Sequence, residues 1–83
     1  MLFMITQEHS PETCPIDAGG SEVLFNADAD GVTMKGRWGA WATHKVWYLV
    51  EADGMDGVQR FLDPGMKLAT STVEPVGEAP VSR

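Results

Sequence analysis

The chain has 83 residues, one cysteine, a formal net charge of −6 and 43 % hydrophobic residues. That length supports one domain, which buries only about 60 to 65 % of its unfolded surface, and a lone Cys excludes an intrachain disulfide or a zinc site built from several cysteines. No apolar run reaches the roughly 18 residues of a membrane span, no charged region precedes the apolar start as in a secretory signal, and the acidic balance repels phosphate backbones.

A cytoplasmic protein with neither a nucleic-acid nor a membrane partner is therefore expected. Three Trp, three Phe and one Tyr carry more large apolar surface than a disordered chain does. A small domain without staples commonly gains stability by oligomerising, so a homo-oligomer is expected.

Residues 2–7 form a short apolar run whose hydrophobic positions fall on both parities, the pattern of a strand buried on both faces. Ser10 before Pro11 has the form of a helix N-cap followed by proline at the first helical position. Pro15 and the pair Gly19 and Gly20 interrupt that helix. A second start at Ser21 and Glu22 carries Val23, Leu24 and Ala27 on one face, so residues 11–30 are expected to be one broken helical crossover.

Residues 32–38 alternate, with Val32, Met34 and Trp38 on one side and Thr33, Lys35 and Arg37 on the other. A turn over 39–43 leads into a second strand over 44–51, rich in Val, Trp and Tyr. Paired as a hairpin, Val46, Tyr48 and Val50 share the face of Met34 and Trp38. The opposite face then holds Lys35, Arg37, Lys45, Trp47 and Leu49.

Asp53 is the expected N-cap of a helix whose buried stripe is Met55, Val58, Phe61 and Leu62, and Pro64 with Gly65 ends it. Residues 68–76 make a thinner strand with a proline, suited to a sheet edge. Residues 77–83 are expected to be a loose C-terminal tail, leaving a single domain over 1–76.

The order β-α-β-β-α-β predicts an α+β fold, a ferredoxin-like sandwich with a four-stranded antiparallel-type sheet. The first and third strands, the most apolar, take its centre. Helices cover one face, and a second subunit's sheet is the expected cover of the other, giving a homodimer.

Four groupings bear on chemistry. Asn26 to Gly31 copies the first half of a calcium loop, but position twelve, which needs a bidentate Glu, is Arg37. His9, Cys14 and His44 offer the imidazole and thiolate donors that suit zinc or copper. With the first and third strands taken as parallel, some six residues separate His9 from His44, roughly 20 Å at about 3.3 Å per residue. A metal site would then be shared across a dimer, or would join His9 to Cys14, Glu8 or Glu51. The plainer reading is two hydrogen-bonded strand-end histidines and a small buried thiol.

Cys14 with His9 as base is a bare nucleophile pair with no hydrolase signature around it. Finally, residues 35–47 hold Lys35, Arg37, Lys45, His44 and all three Trp with no acid, whereas the first 34 residues hold six acids and no Lys or Arg. Lys35, Arg37, Trp38, Trp41 and His44 are the candidate binding residues for a small organic ligand, an anionic one included. The competing reading is a seam between subunits, where Trp and Arg are enriched.

The start Met1 to Ile5, the strand Val46 to Asp53, the helical run Val58 to Leu62 before Pro64, and the strand Ser71 to Val76 together resemble the dimeric α+β-barrel superfamily. It includes muconolactone isomerases, antibiotic-biosynthesis monooxygenases and many uncharacterised bacterial proteins. The resemblance implies back-to-back sheets across two subunits and clefts between sheet and helices, with no iron–sulfur cluster. The chain departs from the pattern at its first helix, which Pro15, Gly19 and Gly20 break.

The functional expectation is a homodimer binding a small organic ligand without a cofactor, a minor isomerase or oxygenase being one form of it. Its rivals are a metal-dependent enzyme whose His9, Cys14 and His44 come from two subunits, and a non-enzymatic assembly module.

Overall fold

Residues 1–77 are described by a computed structural model. Its strands are β1 (Leu2–His9), β2 (Val32–Ala40), β3 (Lys45–Ala52) and β4 (Ala69–Val76), with one helix, α1 (Met55–Leu62), between β3 and β4. The sheet runs β2-β3-β1-β4 and every neighbouring pair is antiparallel. The two most apolar strands occupy the centre, where each is paired on both edges. β4 lies at one edge, which is where Pro75 can be accommodated. Residues 78–83, most of the expected tail, lie outside the described residues.

Three details differ from the sequence reading. The crossover between β1 and β2 is a series of 3₁₀ turns, Pro11–Thr13, Pro15–Asp17 and Gly20–Leu24, in place of α-helical turns. Pro15 removes a backbone donor, while Gly19 (φ 108°) and Gly20 (φ 78°) take conformations no right-handed helix contains. The helix α1 is capped at Gly54, not Asp53. And β1 runs antiparallel to β3, with Glu8 opposite Lys45, not parallel as expected. The end of one strand therefore meets the beginning of the other.

A bulge in β2 reassigns two further side chains. Met34 pairs with Val50 and Gly36 with Leu49, so Lys35 is the extra residue. Past it, Arg37 stands opposite Tyr48 and Trp38 opposite Trp47. Because facing residues share a side of the sheet, Arg37 joins the helix-side face and Trp38 the open one, the reverse of simple alternation. Gly36 permits this. A Cβ there would lie 2.4 Å from the indole of Trp38, which lies over the glycine.

The helix side of the sheet holds the core. Phe3 and Ile5 of β1, Val46, Tyr48 and Val50 of β3, and Val58, Phe61 and Leu62 of α1 pack with Phe25 and Ala29. The rings of Phe25, Tyr48 and Phe61 form a triangle with centroids 5.2 to 5.3 Å apart, a spacing at which aromatic pairs add to their area burial. Gln7 is fully buried but satisfied: its Nε2 donates to the Leu24 carbonyl at 3.0 Å, and its Oε1 accepts from the Tyr48 hydroxyl at 2.7 Å. Burial pushes the Tyr48 phenol up to about 12. This polar latch ties the end of the crossover to the two central strands.

The chain of turns and the outer sheet edge are joined by Arg37. Its guanidinium donates to Ser21 Oγ at 2.8 Å, lies 5.0 Å from the Phe25 ring centroid and reaches Glu22 at 4.0 Å. No helix among the described residues is long and apolar enough to cross a membrane.

Candidate functional site

His9 ends β1 on the helix-side face, in the same row as Phe3, Ile5 and Gln7. His44 closes the 3₁₀ turn Trp41–Thr43 with φ 56°, the only non-glycine residue with positive φ among the described residues. That left-handed conformation, one His tolerates better than most residues, turns the chain into β3. The antiparallel pairing then joins the two: the His9 amide donates to the His44 carbonyl at 3.1 Å. Above that bond the side chains meet, His44 Nδ1 lying 3.3 Å from His9 Nε2 with the ring planes at 74°. The expected separation of roughly 20 Å is thus replaced by direct contact, because β1 and β3 are antiparallel.

Cys14 arrives from the other side. It sits between the turns Pro11–Thr13 and Pro15–Asp17 in an extended conformation (φ −62°, ψ 123°), its amide donating to the Pro11 carbonyl at 3.4 Å. Its thiol is free and half-buried. Ligating atoms of His9, Cys14 and His44 all lie within 4.8 Å of one another on this one chain. No partner subunit is needed to assemble them.

His9 is 8 % exposed and its Nδ1 is buried with no hydrogen-bond partner. Burial, and secondarily the neighbouring His44, hold the His9 imidazole below its usual pKa, because both disfavour a positive charge there. The ring is therefore kept neutral near pH 7, with an unprotonated nitrogen able to accept a proton or bind a metal.

These three residues line a cavity of about 530 Å³. Ile16, Trp41 and Val46 contribute apolar wall, and among the described residues that line it Lys45 is the only Lys, Arg, Asp or Glu. Trp41 lines it while 88 % exposed.

The basic, Trp-rich segment is not gathered into one place. Trp41 and His44 line the cavity. Arg37 is spent on Ser21 and Phe25, Lys35 is exposed at the bulge, and Trp38 lies 55 % exposed on the open face of the sheet. Sequence reasoning missed Ile16 and Val46 as cavity walls. Ile16 carried a signal, since an apolar residue one past a proline in an otherwise polar crossover has no strand or helix to pack it.

A second hollow, of about 610 Å³, is lined by Asp28, Asp30, Asp56, Arg60 and Asp63 among others. It includes the calcium-like run. There Asn26 Oδ1 accepts the Asp28 amide at 2.9 Å, an Asx turn, and Arg60 donates to the Asp30 carbonyl at 3.1 Å. Arg37, at the twelfth position, is committed elsewhere. The run is a turn into β2 with a cation already at its mouth.

Residues 1–79 match the family DUF3303, a domain of unknown function. The chain belongs to that family. No curated protein and no solved structure is detectably similar to it.

Proposed function

We propose that this domain binds a small organic molecule in the cavity at the His9 end of β1, and that the His9–His44 pair acts on it as proton acceptor and donor. The observation that carries the reading is one open hollow joining apolar wall to a convergent trio of reactive side chains. At about 530 Å³ it falls within the range of roughly 300 to 1,000 Å³ typical of ligand sites. Lys45 and the absence of any carboxylate among the described lining residues suit a ligand with an acidic group. Isomerisation or oxygenation without a cofactor, the reactions suggested by the resemblance to α+β-barrel enzymes, would both begin with a proton taken by a neutral base such as His9.

Taken from the β4 edge, the order β4-β1-β3-β2 supports the ferredoxin-like assignment. The open face of the sheet supports the homodimer: Leu2 and Met4 of β1, Trp47 and Leu49 of β3, and Trp38 lie there on the side away from α1. A second sheet packed on that face would bury them and complete a barrel.

A screen of small carboxylic and phenolic compounds followed by NMR tests the reading. Binders are expected to move the resonances of His9, Cys14, Trp41 and His44 together. Binders that move only Trp38 and Trp47, or a screen with no binder, would contradict it.

A further inference from the structure

We infer that His9, Cys14 and His44 of a single chain form a mononuclear zinc(II) site whose remaining coordination position faces the cavity. The inference rests on the proposed binding of a small molecule in that cavity; with an ion bound, the two imidazoles would serve as its ligands and the proton-accepting role proposed for them would pass to a metal-bound water.

Distance is the first support. Two imidazole nitrogens on a tetrahedral zinc ion, each about 2.0 to 2.1 Å from the metal, stand about 3.3 to 3.4 Å apart. His9 Nε2 and His44 Nδ1 are 3.3 Å apart, which is long for a hydrogen bond between them, such bonds clustering near about 3.0 Å. Zinc–sulfur bonds of about 2.3 Å put a thiolate about 3.6 Å from each nitrogen. Ligating atoms of the three residues already lie within 4.8 Å of one another, so a small closing movement of Cys14 brings its thiolate to bonding distance. It stands in a connecting segment between two 3₁₀ turns, outside any strand or α-helix, where a shift of that size breaks no ladder of hydrogen bonds.

The donor set is the second support. Two imidazoles and one thiolate, with no carboxylate, select zinc or copper over magnesium and calcium, which take oxygen ligands. Three protein ligands with an open fourth position are the arrangement of catalytic zinc, whereas closed structural sites use four. Burial is the third support. His9 is more than nine-tenths buried yet lines the cavity, so packing holds the ring with its Nε2 3.3 Å from His44 Nδ1 before any ion arrives, while Nδ1 takes no part in the site.

The site would act as a Lewis acid on a carbonyl or carboxylate oxygen of the bound molecule, or lower the pKa of a bound water. No redox step is required, and the ion keeps its charge throughout.

Metal-free protein titrated with cobalt(II) tests this directly. The expected result is one cobalt per chain, with the intense visible bands of a tetrahedral ion and a thiolate-to-cobalt charge-transfer band, both removed by added zinc(II). Cys14→Ser should abolish the charge-transfer band and weaken zinc binding about tenfold or more, and His44→Ala should weaken it to a similar degree. Asp28→Asn, in the separate acidic hollow, should leave both unchanged.

NMR of the unmodified protein covers the case in which a variant fails to fold, since zinc should then shift His9, Cys14 and His44 in the wild-type chain. No stoichiometric binding, octahedral cobalt spectra, or binding lost in Asp28→Asn but kept in Cys14→Ser would overturn the proposal. Organic-ligand binding by the metal-free protein is measured separately, so failure of the zinc site and failure of the ligand reading give different results.

Discussion

His44 and His9, 35 residues apart in sequence, bring their ring nitrogens to 3.3 Å across the end of an antiparallel strand pair. One ring is set by the inward row of β1 and the other by a left-handed residue that closes a turn. Both positions are backbone decisions, made before any ligand is considered. The conformation of His44 also has a cost, about 1 kcal/mol for a residue with a Cβ. His44→Gly should therefore be more stable than His44→Ala by about 0.5 to 1 kcal/mol, read from chemical denaturation of the two variants. Equal stabilities would mean that the turn relaxes out of the left-handed region.

Gly65 closes over the Gln7 latch. A Cβ at this position would stand 2.5 Å from the Leu24 carbonyl oxygen and 2.9 Å from Gln7 Nε2, a collision with backbone that a rotamer change cannot relieve. Gly65→Ala should cost about 1 to 3 kcal/mol, measured as a lower denaturant midpoint with unchanged slope.

Tyr48 gives the latch a pH signature. Its phenol titrates near 12 in the folded protein against an ordinary value of 10.0, burial being the main cause and Arg37 opposing it. A folded-state pKa above the unfolded one means that the native state holds the proton longer. The resulting stabilisation is complete below about pH 10 and is lost as pH rises through about 12. Tyr48→Phe should flatten that alkaline loss, while leaving Gln7 Oε1 without its donor at a cost of about 1 to 3 kcal/mol at neutral pH. Stability curves of the two proteins between neutral and alkaline pH check both effects.

The open face of the sheet makes a separate prediction. The indole of Trp38 lies over Gly36, so Gly36→Ala should displace it, and Trp38→Lys should remove it and add charge. If two sheets pack through this face, both variants should shift sedimentation from dimer towards monomer while the far-UV circular dichroism of the chain is retained. Unchanged sedimentation of Trp38→Lys would remove the sheet-to-sheet dimer.

The strands and most of the buried stripe of α1 were legible from the sequence because their periodicities are regular. Val46, Tyr48 and Val50 point inward as alternation requires, and Val58, Phe61 and Leu62 repeat at helical spacing and are buried, whereas Met55, expected with them, stands 55 % exposed at the start of the helix. Arg37 and Trp38 were misplaced because alternation assumes one residue per pairing step, and the extra residue at Lys35 breaks it. Gly36 was the available signal, since glycine inside a strand commonly marks a bulge.

The site was legible only as a set of residue types. His9, Cys14 and His44 stood out for their chemistry, but their assembly depended on strand direction, and a parallel assignment sent the two histidines to opposite ends of the sheet. The crossover supplied the direction: β1 and β2 run the same way with β3 between them, so β3 must oppose both. The binding residues drawn from the basic segment were grouped by sequence proximity, and the sheet distributes neighbouring residues to opposite faces.

X-ray absorption at the zinc edge of the zinc-loaded, otherwise unmodified protein addresses the centre of the account, the convergence of His9, Cys14 and His44 on one point at the cavity. A first shell of two imidazole nitrogens, one sulfur at about 2.3 Å and one further light atom is the predicted result. A shell of oxygen and nitrogen alone, with no sulfur, would contradict it.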